Sequence, residues 1–175
     1  MIFGLFRKSA DADAVYAIYS AIVAQSRQPR FYADWGVPDT VTGRFDMISL
    51  HMALVFRRLR SEGRQAAEFS QALFDFFFRD MVRSLREMGA TDLGVPKKIQ
   101  KMGSVFYGLL ANVGDAIDKA DRAELEAVLT RNVFNGESAL GVTLLADYLM
   151  AEAAVIAARP VDEIIAGRLG AEVAA

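Results

Sequence analysis

His51 is the only histidine in the chain, and there is no cysteine. Without a thiol, a thiolate zinc site, an iron-sulfur cluster, a cysteine nucleophile and a disulfide framework are excluded. A metal or haem centre would need His51 to act with carboxylates or methionines, and the di-iron bundle pattern requires two Glu-x-x-His motifs, which one histidine cannot supply. Asp46, Asp75 and Asp80 are the carboxylates that could partner His51 in acid–base work. The commoner role for such a histidine is a hydrogen-bonded place in a buried helix. Asp75 and Asp80 are five residues apart, so they do not share a helix face, and they lack the Asp-Asp-x-x-Asp cluster that holds magnesium and diphosphate. No phosphate-cradling glycine motif, dinucleotide fingerprint or serine nucleophile signature occurs. The inventory points away from an enzyme, and no cofactor is expected.

What remains is binding chemistry. Asp80, Arg83, Arg86, Glu87, Asp92, Lys97, Lys98 and Lys101, together with Arg79, surround one connector, with Phe78, Phe106 and Tyr107 beside them. Rings supply burial at a protein interface, and charges set register and partner choice. Asp80, the three lysines, Arg83, Arg86, Glu87, Asp92, Phe106 and Tyr107 are therefore the expected partner-binding residues. The plain alternative for Phe78 and Phe106 is core. A second surface pairs Phe3 and Phe6 with Arg7 and Lys8, apolar groups next to cations as in a membrane interface. Arg57 and Arg58, with Arg60 and Arg64, crowd the end of a helix, where they suit its dipole and could meet an anionic surface. A packed tail and a solvated helix end are the ordinary alternatives. The first part of the chain, to Gly108, carries 15 Lys and Arg against 11 Asp and Glu, and the remainder 5 against 11. The basic part could face acidic membrane or ribosomal RNA.

Helical periodicity must position these groups. Val15, Ile18, Tyr19, Ile22 and Val23 form one stripe, with Ser9, Asp11 or Asp13 as its cap and Pro29 marking its end. From Arg30 to Val41 the sequence RFYADWGVPDTV predicts an ordered loop whose rings pack on the helices. Its turn residues and aromatics also make it a candidate contact surface. Phe45, Ile48, Met52, Val55 and Leu59 form a second stripe, while Met47, Leu50, Leu54 and Phe56 fill the other sides, so this helix should run through the middle. Phe69, Leu73, Phe77, Met81, Leu85 and Met88 lay a third stripe, stopped by Gly89. Gly89 to Val95 should be a short structured link, after which Pro96 restarts a helix carrying Ile99, Met102, Phe106, Leu109, Leu110 and Val113. That helix continues to Ala120 or bends near Gly114. Asp121 caps the next one, which holds Leu125, Val128, Leu129 and Val133 and stops at Asn135-Gly136. A long helix through Leu144, Leu145, Tyr148, Leu149, Ala153 and Ile156 breaks at Pro160, and Val161 to Leu169 makes a short last one. The expected fold is an all-α, single-domain bundle of about six or seven helices.

A chain of 175 residues is one domain by length and buries roughly 70% of its unfolded surface. Hydrophobic residues make up 53%, above the usual soluble share. The longest nearly apolar run, Met47 to Phe56, would rise about 15 Å as a helix against a hydrocarbon core of roughly 30 Å, so no membrane span is expected. Met1 to Phe6 does not read as an export signal, since the charges follow the apolar residues.

Several separated motifs occur in a telling order: Tyr32, Gly36-Val37-Pro38-Asp39-Thr40, Gly43-Arg44-Phe45-Asp46, Leu50-His51, Asp80-Met81, Leu85-Arg86-Glu87-Met88-Gly89, Asp92-Leu93-Gly94-Val95, Lys97-Lys98, Met102, Phe106-Tyr107-Gly108 and Arg131-Asn132-Val133. Together they resemble the signature of the ubiquinol-cytochrome c chaperone family, over roughly Val15 to Leu149. Val82 stands where that pattern carries an acidic residue, and Leu109 where it carries arginine. The resemblance implies a non-enzymatic chaperone that binds newly made cytochrome b and assists assembly of the bc1 complex. It also implies a bacterial, cytoplasmic member peripheral to the inner face of the membrane, with ribosome or membrane contact, a small accessory protein as a further candidate partner, and no DNA. Residues 1–12 are expected as a flexible N-terminal segment, 13–170 as the helical chaperone domain and 171–175 as a frayed tail. The alternative from another class is a carrier or sensor of a small apolar ligand, a lipid, quinone or haem, held inside the phenylalanine-rich bundle.

Overall fold

The computed structural model describes the backbone of residues 2–136 and 139–169, and the side chains of 11–136 and 140–169. The chain forms helices α1 (Ile2–Ser26), α2 (Pro29–Ala33), α3 (Val41–Leu59), α4 (Arg64–Glu87), α5 (Gly94–Asp118), α6 (Arg122–Asn132), α7 (Ala139–Ala157) and α8 (Val161–Ile165), with no strand among the described residues. Six are long and two are short, so the expected all-α single domain holds. Its helices cluster in two compact units, one from the segments up to Ala21, Leu59–Val105 and from Arg159, the other from Ile22–Arg58 and Phe106–Ala158.

In the first unit, Val15 and Ile18 of α1 and Phe69, Leu73, Phe77 and Leu85 of α4 are buried on the stripes their spacing predicts, and Ile164 of α8 is buried as well. Tyr19 lies 5.0 Å from the ring of Phe76 and donates its hydroxyl hydrogen to Asp80 Oδ2 at 2.7 Å. In the second unit α3 is the central element. Every residue from Phe45 to Val55 is buried, as a helix apolar on all sides requires. Leu109 and Val113 of α5, Leu125, Val128 and Leu129 of α6, and Leu145, Leu149 and Ile156 of α7 are buried in the same unit.

Helix ends differ from the sequence expectation in instructive ways. Because α1 begins at Ile2, Ser9, Asp11 and Asp13 lie inside it and not at its start. Pro29 opens α2, where its missing N–H costs nothing, so the expected loop starts with one helical turn. Thr40 is the cap of α3, its hydroxyl accepting the Gly43 N–H at 3.1 Å. Asp121 caps α6 as expected, accepting from the Glu124 N–H at 3.0 Å. α5 runs unbroken past Gly114, and α8 stops at Ile165, short of Leu169.

One expectation is corrected by α7. Leu140–Ala157 is long and apolar enough, by length and composition, to cross a membrane. The sequence reading missed it because Asp147 and Glu152 interrupt the run. Leu145, Ala146, Leu149, Ala153 and Ile156 are core of the second unit, and Asp147 pairs with Arg122 at 2.6 Å, which gives α7 a core role.

Candidate functional site

The α4–α5 connector is built by hydrogen bonds that leave little freedom. Gly89 has φ +81°, and its N–H reaches Arg86 O at 2.9 Å while the Ala90 N–H reaches Leu85 O at 3.0 Å. This paired closure satisfies the last carbonyls of α4 and requires a residue that tolerates the left-handed region. Thr91 then starts α5: its hydroxyl and its carbonyl both accept from the Gly94 N–H, at 3.2 and 2.8 Å. α5 thus begins at Gly94, two residues before Pro96, which sits in the first turn where no donor is missed.

That closure turns two apolar side chains outward. Leu93 is 93% exposed and Met88 53% exposed. Met88 was expected as the last residue of the apolar stripe, but Ala90 bonds back to Leu85, and the buried stripe ends there. Leu93 was not among the expected partner residues. Its only signal in the sequence is a large aliphatic residue inside a turn of Asp and Gly.

Charges frame these side chains. Arg86 stands 3.8 Å from Asp92 and Arg83 3.9 Å from Glu87, all four exposed. Such surface pairs are worth well under about 1 kcal/mol each. Arg83 also pairs with Asp80, which is mostly covered and holds Tyr19, so Asp80 serves the packing of α1 on α4. Lys97, Lys98 and Lys101 are exposed and carry no ion pair among the described residues. They occupy the first two turns of α5, which has no acidic residue in its first turn. Lys97, in the first turn, opposes the positive end of the helix dipole by about 0.3 kcal/mol or more, an effect that fades by Lys98 and is gone at Lys101.

The remaining expected residues lie in the second unit or outside the described side chains. Tyr107 is 57% exposed, and its ring meets that of Phe106 edge-on at 5.7 Å. Phe106, expected as an aromatic anchor, is 1% exposed and meets Phe56 edge-on at 6.1 Å; it is a core ring and is corrected to that role. Leu109, at the position where the family pattern carries arginine, is buried too. Arg57 is bound to Asp118 at 2.6 Å and largely covered, so it is no free contact for an anionic surface, and Arg58 is half-buried. Phe3, Phe6, Arg7 and Lys8 have side chains outside the described residues.

His51 is enclosed. The Met47 carbonyl can only accept, so His51 Nδ1 donates to it at 2.7 Å, and Nε2 then accepts the Tyr148 hydroxyl hydrogen at 2.8 Å. Gln25 Nε2 donates to that same hydroxyl oxygen at 2.9 Å. Burial pushes His51 down to about 4, so the ring is neutral and both nitrogens are spent on structure. Tyr148 is pushed up to about 12, chiefly by burial. Over this network lies a platform the sequence did not reveal. The Arg30 guanidinium sits 5.2, 5.3 and 5.1 Å from the ring centres of Phe31, Trp35 and Tyr148.

In the first unit, Asp11, Gln65 and Glu68 rim a cavity of about 150 Å³ over Val15, Phe69 and Ile165. Its size is below the roughly 300–1,000 Å³ of ordinary small-molecule sites, and it does not suit a quinone or haem.

Comparison with known proteins agrees with this architecture. Residues 33–172 match the family model described as ubiquinol-cytochrome C chaperone. A crystal structure of the Cbp3 homolog from Brucella abortus superposes with a TM-score of 0.86 and 36% identity, covering 97% of this chain and 96% of that one. Ubiquinol-cytochrome-c reductase complex assembly factor 1 from Xenopus laevis is 24% identical over 122 residues, which is 70% of this chain and 60% of that protein. The mouse and human counterparts are each 25% identical over 138 residues, 78% of this chain and 46% of theirs. The chain thus spans about half the length of these assembly factors. A match over most of the sequence, with the same helical fold along the whole chain, places the protein: it belongs to the ubiquinol-cytochrome c chaperone family.

Proposed function

We propose that this protein is a non-enzymatic assembly chaperone whose α4–α5 connector holds newly made cytochrome b during biogenesis of the bc1 complex. The observation that carries the reading is Leu93, almost wholly exposed on a connector that backbone bonds and a glycine closure hold in shape. An aliphatic side chain on a rigid platform binds with little ordering cost. Lys97 stands in the first turn of α5, where the helix dipole disfavours a cation, and Lys98 and Lys101 follow it exposed and without an ion pair among the described residues, as expected of charges placed for a partner. A nascent membrane protein offers apolar segments for Leu93 and Met88, and anionic headgroups or ribosomal RNA would attract the lysines. The site of action is then the inner face of the cytoplasmic membrane, where that client emerges. Assembly-factor relatives support the biogenesis role, and the enclosed His51 supports a role without catalysis.

The test is co-purification of cytochrome b with the tagged chain from cells making both, comparing Leu93→Asp with the parent. Recovery should fall at least about fivefold, since one buried aliphatic anchor is worth on the order of 1–2 kcal/mol. Equal recovery by both would reject the connector as the client site.

A further inference from the structure

Arg30 is an exposed cation held by rings and by no acid. It forms no ion pair among the described residues, although Asp34, one turn further along the chain, is the ordinary partner for an arginine at that spacing. The guanidinium instead lies on Phe31, Trp35 and Tyr148, which touch one another at ring-centre distances of 5.0 to 6.1 Å. Tyr148 is fixed from below through His51 and Gln25. A planar guanidinium stacked in this way keeps its N–H edge free and pre-oriented, the arrangement that receives a carboxylate through two parallel hydrogen bonds.

We propose that the Arg30 platform is a second contact for the client, receiving an acidic side chain of cytochrome b while the half-buried Trp35 ring covers an adjoining apolar residue. This rests on cytochrome b being the client. Tryptophan, tyrosine and arginine gathered at one spot form the composition that dominates protein interfaces. Local charge argues against a lipid headgroup surface: the segment 27–44 balances Arg27, Arg30 and Arg44 with Asp34 and Asp39, and Arg44 is already bonded to Asp39 at 2.6 Å.

The experiment is recovery of cytochrome b with the tagged full chain carrying Arg30→Gln, Arg30→Lys, or Arg168→Gln as a control at an exposed arginine of the other unit. Trp35 is the only tryptophan, so its fluorescence reports whether the platform survives in each variant. Arg30→Gln should lower recovery about tenfold, as loss of a charge-assisted bidentate pair implies; Arg30→Lys should fall in between, and Arg168→Gln should match the parent. Parent-level recovery by Arg30→Gln with unchanged Trp35 emission overturns this inference and leaves the client reading standing. No cytochrome b with the parent chain removes both. If Arg30→Gln keeps the client but loses sedimentation with phosphatidylglycerol vesicles, the platform is a membrane contact and the inference is overturned.

Discussion

Asp46 and His51 are both buried in α3, and they pull stability in opposite directions as pH changes. Asp46 is 2% exposed, its Oδ1 meets no hydrogen-bond donor among the described residues, and burial raises it to about 7. Between its unfolded value of 3.8 and about 7, the folded chain binds the extra proton, so this group makes stability fall as pH rises. His51 is lowered from 6.5 to about 4, so in that window the unfolded chain binds more protons and stability rises with pH. The two slopes nearly cancel in the parent. Asp46→Asn removes one of them, and its gain over the parent should grow by about 2–3 kcal/mol from pH 4.5 to pH 7. Urea midpoints at the two pH values check this; parallel curves would return Asp46 to an ordinary carboxylate. Gly141 poses a steric question. A Cβ there would fall 1.9 Å from the backbone carbonyl oxygen of Trp35, which cannot swing aside as a side chain would, so Gly141→Ala should cost about 2 kcal/mol or more and lower the Tm by several degrees.

The connector between α4 and α5 couples stability to binding at the level of the element. Gly89→Ala meets no neighbour within 4 Å, so its cost is that of the left-handed backbone alone, about 1–2 kcal/mol. Chemical denaturation should register that loss, and client recovery should weaken with it as Leu93 loses its fixed direction. Lys97→Glu together with Lys98→Glu separates the two properties. Reversing charge at the start of α5 suits the dipole and should raise stability by a few tenths of a kcal/mol or more, while recovery of cytochrome b falls. Melting curves and co-purification of the same variant check both halves. A drop in both would mean that the lysines support the fold.

For the whole molecule, the family assignment makes bc1 assembly the phenotype to measure. Deletion should lower assembled bc1 complex, and restoration by the parent chain but not by Leu93→Asp would tie that loss to the connector. Quantifying the complex on native gels gives the readout. If deletion leaves its abundance unchanged, the client reading fails at this scale whatever the binding data say.

Helical spacing and turn chemistry are local properties, and they were legible in the residues. The all-α class, the central place of α3, the Gly89 closure and the Asp121 cap all follow from neighbours a few positions apart. The ordered motifs carried the family likewise. Exposure is different, because it depends on which distant segment covers a face. Phe106 and Leu93 both read as apolar residues near one connector, yet Phe56 covers the first and no neighbouring element buries the second. Tyr148 is 97 positions from His51 and Tyr19 is 61 from Asp80, so no local pattern could announce those bonds. The Arg30 platform likewise exists only because α7 brings Tyr148 to the rings of α2 and the turn after it. Sequence determined the helices and the family; tertiary packing decided which side chains were left for a partner, since only packing between remote segments removes a face from solvent.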